Sequence, residues 1–238
     1  MFDSKIAFYP IFIIISLIAN IIVVLLIYKK HKFNQNEIVG ALVYENLGII
    51  MGAKILSYLE NYKIYGEFDF FSLGLSSYGG VIGAIVCLII FGLQFKKPIK
   101  DMLFTFMPSI PLMYAIGKIG CFIVGCCHGI EYSGFGSVAY NHSLVAAHSV
   151  HLFPIQIVET IVFTLIFVYM IIKILKNKFD FKTLGISFML CGVSKFCLDF
   201  LRASHVNLNI SLNQILSIGF IVCGIILFIN NKRKRETI

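Results

Sequence analysis

Long apolar runs, separated by short polar and basic clusters, make up most of this chain. Runs of spanning length lie near 8–28, 37–58, 76–95, 102–124, 154–175, 183–201 and 211–229. Roughly 20 apolar residues in a helix cross a hydrocarbon core of about 30 Å, so each run predicts one transmembrane helix. The fold class that follows is all-α, a polytopic integral membrane protein with seven spans, because a helix satisfies its backbone polar groups internally in lipid. The first run, Phe8 to Tyr28, is long enough to span and no small-residue cleavage site follows it, so it reads as a retained helix.

Composition agrees with this pattern. Of 238 residues, 58% are hydrophobic and 13% charged, against about 25% charged in soluble domains. Residues 1–238 leave room for one membrane domain. The seven cysteines are odd in number, and Cys87, Cys191, Cys197 and Cys223 fall within spans, which argues against a disulfide framework.

The net charge of +8 matters for where its cations lie. Fourteen of the 20 Lys and Arg residues follow spans 1, 3, 5 and 7: Lys29, Lys30, Lys32; Lys96, Lys97, Lys100; Lys173, Lys176, Lys178, Lys182; and Lys232, Arg233, Lys234, Arg235. Only Lys5, Lys63 and Arg202 lie on the other side. The bias predicts an N-terminus outside and a C-terminus in the cytoplasm. It requires no nucleic-acid partner. On the outer side, the 59–74 connection carries Glu60, Glu67 and Asp69, and the 128–153 connection carries His128, His142, His148 and His151 without Lys or Arg. That longer segment is expected to form a small external cap or lid.

Three lysines remain: Lys54, Lys118 and Lys195 interrupt otherwise apolar runs. A charge at bilayer depth costs on the order of 3 kcal/mol on insertion scales, so each is expected to face a partner or a wet cavity. Lys118 lies in Gly117-Lys118-Ile119-Gly120-Cys121-Phe122-Ile123-Val124-Gly125-Cys126-Cys127-His128-Gly129, after Pro108 and Pro111. The prolines predict a kink, and four glycines predict irregular backbone, tolerable at membrane depth only beside a cavity. A cation among free backbone N–H groups suits an anion such as phosphate; the plainer reading is a lysine snorkelling to the interface. Cys121, Cys126, Cys127 and His128 lack the Cys-x2-Cys spacing of usual zinc sites, and the three cysteines are expected to be packing residues with no metal.

Lys195, Asp199 and Arg202 stand at i, i+4 and i+7 and share one helix face. Asp199 pairs internally with one cation, and the other is left for an incoming phosphate. Gln156 and Glu159, then Gln214 and Ser217, occupy single faces of spans 5 and 7, as do Glu45 and Asn46 in span 2; interhelical hydrogen bonding explains each alone. Tyr78-Gly79-Gly80-Val81-Ile82-Gly83 opens span 3, where the glycines permit close approach of a backbone or a lipid.

These motifs resemble those of bacterial prolipoprotein diacylglyceryl transferases. The resemblance runs from about Gly74 to the C-terminus: Tyr78-Gly79-Gly80-x-x-Gly83, Pro108-Ser-Ile-Pro111, Gly117 to Gly129, Pro154-x-Gln156-x-x-Glu159, Lys195-x3-Asp199-x2-Arg202 and Gln214-Ile-Leu-Ser217. In the first two spans only Gly52-Ala53-Lys54 is similar. The family signature reads Gly-Arg-x-Gly-Asn-Phe-x-Asn-x-Glu-x-x-Gly. This chain keeps Gly117, Gly120, Phe122 and Gly129, with Lys118 for Arg, Cys121 and Val124 for the two Asn, and Cys126 for Glu. Tyr78 and Lys195 replace a family histidine and arginine. Lysine keeps the charge but loses the bidentate fork, and tyrosine, with an ordinary pKa of about 10, does not titrate near neutrality.

The resemblance implies a multi-pass protein of the bacterial plasma membrane. It also implies transfer of diacylglycerol from phosphatidylglycerol to the lipobox cysteine thiol of a preprolipoprotein, with no metal or organic cofactor. Lys118, Lys195 and Arg202 would hold the phosphate, and Tyr78 and His128 would handle the proton. Gly79, Gly80, Cys121, Gly129, Gln156, Glu159, Asp199 and Gln214 would contact or orient the lipid. Two alternatives stand beside it. One is a divergent relative acting on another thiol or lipid acceptor, with Cys126 or Cys127 as nucleophile; the other is a non-enzymatic lipid- or metal-binding membrane protein.

Overall fold

The computed structural model describes residues 8–30, 33–65, 70, 74–141, 143, 145–205 and 210–236. Glu67, Asp69 and His142 lie outside them. Among the described residues, seven helices are long and apolar enough to cross a membrane: Tyr9–Lys30, Gln35–Tyr62, Ser77–Gln94, Ile99–Val124, Ile155–Leu175, Phe181–Asp199 and Leu212–Asn230. They coincide with the seven apolar runs to within a few residues. The elements are α1 (Phe8–Ile27), α2 (Gln35–Tyr65), α3 (Ser77–Gln94), α4 (Ile99–Phe106), α5 (Ile110–Val124), β1 (Val138–Ala139), β2 (His151–Leu152), α6 (Ile155–Leu175), α7 (Phe181–Asp199) and α8 (Leu212–Glu236). Where the sequence predicts a proline kink, α4 passes through a 3-10 turn at Met107–Ser109 into α5.

The chain forms two compact units. One is Asn20–Ile110, built on α2 and α3. Glycines set that pair: a Cβ on Gly79 would run into the Gly52 carbonyl, and one on Gly83 into the Gly48 carbonyl. Such contacts need residues without side chains, and in lipid, close van der Waals packing is what holds helices together. Asn34 and Glu37 close a capping box at the start of α2, and Lys97 pairs with Glu37. In the interior, the Asn20 amide donates to the buried Glu45 carboxylate at 2.8 Å, and the Ser109 hydroxyl donates to the Asn20 carbonyl at 2.6 Å. Lys54 is half-buried with its ammonium 5.3 Å over the Phe70 ring.

The other unit runs to Ala19 and from Pro111 onward. Small residues again let α7 and α8 meet: a Cβ on Gly185 would lie 2.6 Å from the Gly224 carbonyl, and one on Gly192 2.8 Å from that of Ser217. Between α5 and α6 the described residues are not helical. There β1 and β2 pair antiparallel, Val138 opposite Leu152 and Ala139 opposite His151. Tyr140, Ala146 and Leu152 form a small core beneath them, packed against Phe122, Val138 and Val150. The 128–153 segment thus has a hydrophobic centre of its own.

Candidate active site

Charge at depth is the organising fact of the second unit. Lys118 projects from α5 into the interior, is 6% exposed, and places its ammonium 2.7 Å from Glu159 Oε2 on α6. The other oxygen of Glu159 accepts the Tyr114 hydroxyl. Tyr114 in turn accepts from the Lys195 ammonium at 3.2 Å, and its ring lies beneath both lysines, 5.1 Å from Lys118 Nζ and 4.5 Å from Lys195 Nζ. One phenol therefore links cations from α5 and α7 to the α6 carboxylate. Tyr114 escaped the sequence reading, although it precedes Lys118 by one helical turn; a tyrosine in an apolar run is unremarkable until its hydroxyl is seen to be buried.

A second carboxylate gathers the end of α7. Asp199 accepts the Ser211 hydroxyl, stands 3.4 Å from His205 Nδ1 and lies 3.9 Å from Arg202 Nη1. Burial alone would lower the pKa of the Arg202 guanidinium, but Glu159 and its other anionic neighbours push it higher still, so it stays charged. Arg202 is held by its backbone as well. It bridges to Gly129, Leu201 accepts from the Ile130 N–H at 3.0 Å, and the Ala203 N–H donates to the His128 carbonyl at 3.2 Å. The glycine matters here: a Cβ on Gly129 would lie 2.5 Å from the Phe153 carbonyl.

Gln156 and Gln214 have structural duties the sequence reading did not assign. Fully buried Gln156 donates to the Cys126 carbonyl at 2.9 Å and accepts the Tyr140 hydroxyl at 3.3 Å. Burial pushes the Tyr140 phenol up to about 12, so it remains a donor. Gln214 closes a capping box on α8: the Ser211 N–H donates to Gln214 Oε1 and the Gln214 N–H to Ser211 Oγ, both at 3.1 Å. The pattern Ser211-x-x-Gln214 was legible as such in the sequence.

Among the described residues, four buried side-chain atoms of this set lack a hydrogen-bond partner: Glu159 Oε2, which is ion-paired with Lys118, His205 Nδ1, and the donors Arg202 Nε and Gln214 Nε2. Leaving such a donor unsatisfied costs about 1–3 kcal/mol, more when it is charged. The Arg202 donor belongs to a set in which Lys118, Lys195 and Arg202 stand against Glu159 and Asp199. The arrangement suits an anionic, acceptor-rich group.

His128 is half-buried at the start of the cap segment, with Nδ1 3.1 Å from the Gly129 carbonyl. A carbonyl only accepts, so in that contact Nδ1 is the donor. The sulfurs of Cys121, Cys126 and Cys127 lie within 4.8 Å of one another. Hydrogen bonds toward its sulfur from Cys121 and Cys126, with Lys118 and Arg202 nearby, hold the Cys127 thiol well below its ordinary pKa. Of the remaining expected site residues, Tyr78, Gly79 and Gly80 are buried in α3 of the first unit, where Gly79 packs on Gly52.

Residues 1–230 match the model of the family described as prolipoprotein diacylglyceryl transferase. That match extends into the first two spans, beyond the motifs that begin at Gly74. The phosphatidylglycerol–prolipoprotein diacylglyceryl transferase 2 of Clostridium perfringens (strain 13 / Type A) is 26% identical over 242 residues, covering 98% of this chain and 94% of that protein. The phosphatidylglycerol–prolipoprotein diacylglyceryl transferase of Clostridium tetani is 26% identical, covering 96% of this chain and 94% of that protein. The protein of the same name from Finegoldia magna is 27% identical, covering 98% and 94%.

Proposed function

The chain belongs to the prolipoprotein diacylglyceryl transferase family, and from that premise we propose that it transfers diacylglycerol from phosphatidylglycerol to a prolipoprotein thiol. The acceptor is the lipobox cysteine, and the site of action is the outer leaflet of a bacterial plasma membrane. The observation that carries this reading is the buried charge cluster itself, Lys118 paired with Glu159 and linked through Tyr114 to Lys195, with Arg202 Nε of the same unit left without an acceptor among the described residues.

In the reaction the acceptor thiol gives up its proton and the thiolate attacks the glyceryl carbon. A carbon–sulfur bond forms, the carbon–oxygen bond to phosphate breaks, and glycerol phosphate departs with the electron pair. Charge grows on the departing phosphate, so donors already fixed in a low-dielectric site stabilise the transition state more than the ground state. Lys118, Lys195 and Arg202 supply those donors. Glu159 and Asp199 hold the cations in place, and Tyr114 fixes the distance between Lys118 and Lys195. His128 Nε2 takes the thiol proton, a role for which imidazole is better matched than phenol at neutral pH. Tyr78, at the position of a family histidine, is assigned headgroup contact in place of proton transfer, because a phenol is poorly matched to proton abstraction at neutral pH.

The test is transfer of labelled diacylglycerol from phosphatidylglycerol vesicles to a lipobox peptide by the purified protein. His128→Ala loses more activity than Tyr78→Phe if the roles are as stated; full activity in His128→Ala with none in Tyr78→Phe reverses them. Absence of transfer by the unaltered protein, with glycerol phosphate release also absent, removes the reading.

A further inference from the structure

The three cysteines of the 117–129 segment have no part in the chemistry above. They make poor carriers of the diacylglyceryl group, because a thioether on Cys126 or Cys127 would have to break a carbon–sulfur bond to pass it on. Their spacing does not suggest a site either. In a continuous helix, residues five and six apart diverge around the axis. Here the helix stops at Val124 and the chain reverses: Gly125 takes φ +77 and Cys127 φ +52. The N–H groups of Gly125 and Cys126 both donate to the Cys121 carbonyl, at 2.9 and 3.1 Å. The reversal lays Cys126 and Cys127 back over Cys121. For a non-glycine residue the left-handed conformation at Cys127 costs roughly 1 kcal/mol, and it persists because the surroundings enforce it.

Those surroundings are well defined. The Gln156 amide donates to the Cys126 carbonyl at 2.9 Å, the Ser143 hydroxyl to the Gly125 carbonyl at 3.2 Å, and the Ala203 N–H to the His128 carbonyl at 3.2 Å. Three elements thus pin a five-residue loop that carries two thiols above a third. Metal–sulfur bonds of about 2.3 Å in a tetrahedral site place sulfurs about 3.8 Å apart. Sulfurs within 4.8 Å of one another need about 1 Å of closure at most, which side-chain rotation supplies.

We propose that Cys121, Cys126 and Cys127 form a three-thiolate site for one thiophilic metal ion of the zinc(II) class. Thiolates select such ions over hard cations. Burial decreases from Cys121, which is buried, through half-buried Cys126 to exposed Cys127, so the ion enters from the Cys127 side and keeps its fourth position there. Three thiolates around a divalent ion leave one net negative charge. The bound ion fastens the end of α5 to the loop that presents His128. Metal binding at this site is tested without the transfer reaction.

The experiment titrates the reduced, purified protein in detergent with cobalt(II), a spectroscopic stand-in for zinc. One equivalent is expected to bind with intense thiolate-to-cobalt charge-transfer absorption, and zinc(II) is expected to displace it. Cys126→Ser and Cys127→Ser each weaken binding at least about tenfold, whereas Cys197→Ser, an exposed cysteine of α7, leaves it unchanged. A measurement on the unaltered chain guards against variants that fail to fold: zinc(II) should protect Cys127 from maleimide. Charge-transfer bands retained in a Cys126→Ser/Cys127→Ser double variant overturn the proposal. So does fully reduced protein that shows neither the bands nor protection.

Discussion

Lys118 Nζ lies 2.7 Å from Glu159 Oε2, and both side chains are almost wholly buried. Neither charge is tolerable alone at that depth. Removing one partner of a buried pair typically costs about 3–5 kcal/mol, because it strands the other. Lys118→Ala is therefore expected to lower thermal stability in detergent as well as transfer. The double variant Lys118→Met/Glu159→Gln removes both charges and is expected to recover most of the stability while transfer stays lost. Recovery of transfer in the double variant would confine Lys118 to neutralising Glu159.

Gln214 separates a capping role from a ligand-binding one. Its Oε1 caps α8 while its Nε2 stays unsatisfied. Gln214→Glu keeps the reciprocal cap, since glutamate serves that box equally well, but it sets a carboxylate where the amide donor stood. The buried carboxylate is expected to lower the melting temperature, so turnover is read at equal levels of folded protein, where it is expected to fall at least about tenfold, the equivalent of one charge-assisted hydrogen bond. Ser211→Ala should lose about 1 kcal/mol of stability with the cap. Unaltered turnover in Gln214→Glu would leave Gln214 as a cap alone.

The glycines of α3 divide in the same way. Gly79 and Gly83 face carbonyls of α2, so an added methyl has nowhere to go, and overpacking of this kind costs about 1–3 kcal/mol. At Gly80 the nearest atoms to an added Cβ are 3.5 Å away, an ordinary contact. Gly79→Ala and Gly83→Ala are expected to reduce the level of folded protein in the membrane, and Gly80→Ala to leave it unchanged. Lost transfer at normal protein level in Gly80→Ala would mark that glycine as a place where lipid approaches the backbone.

Orientation rests on the fourteen-to-three cation bias. A reporter active only in the cytoplasm should give signal when fused after residue 30, 98, 178 or 236, and none near residues 66, 140 or 206. Signal at residue 140 would place the cap segment and His128 on the cytoplasmic side, away from any lipobox acceptor in the outer leaflet.

Much of this molecule is written in its one-dimensional pattern, and the reason is the solvent. Lipid forbids unsatisfied backbone and unpartnered charge. Apolar runs therefore translate directly into spans, and every charge within a run needs a local explanation. Lys118, Lys195, Asp199 and Glu159 were conspicuous for that reason, and the i, i+4 spacing of Lys195 and Asp199 put both on one face. Tyr114 was not conspicuous, because a phenol is tolerated in an apolar helix whether or not its hydroxyl is used. Its position between Glu159 and Lys195 exists only where α5, α6 and α7 converge.

The seven spans and the family were determined by the sequence itself, through hydrophobic length and motif order. The tertiary structure alone decided which polar atoms meet. It pairs Lys118 with Glu159 across two helices, and among the described residues it leaves Arg202 Nε and Gln214 Nε2 without an acceptor. It also gathers Cys121, Cys126 and Cys127, whose spacing in a helix would scatter them. Spacing along a chain specifies direction only while the backbone stays regular. At Gly125 and Cys127 two left-handed residues reverse the path, and proximity there is set by φ and by the loop's hydrogen bonds.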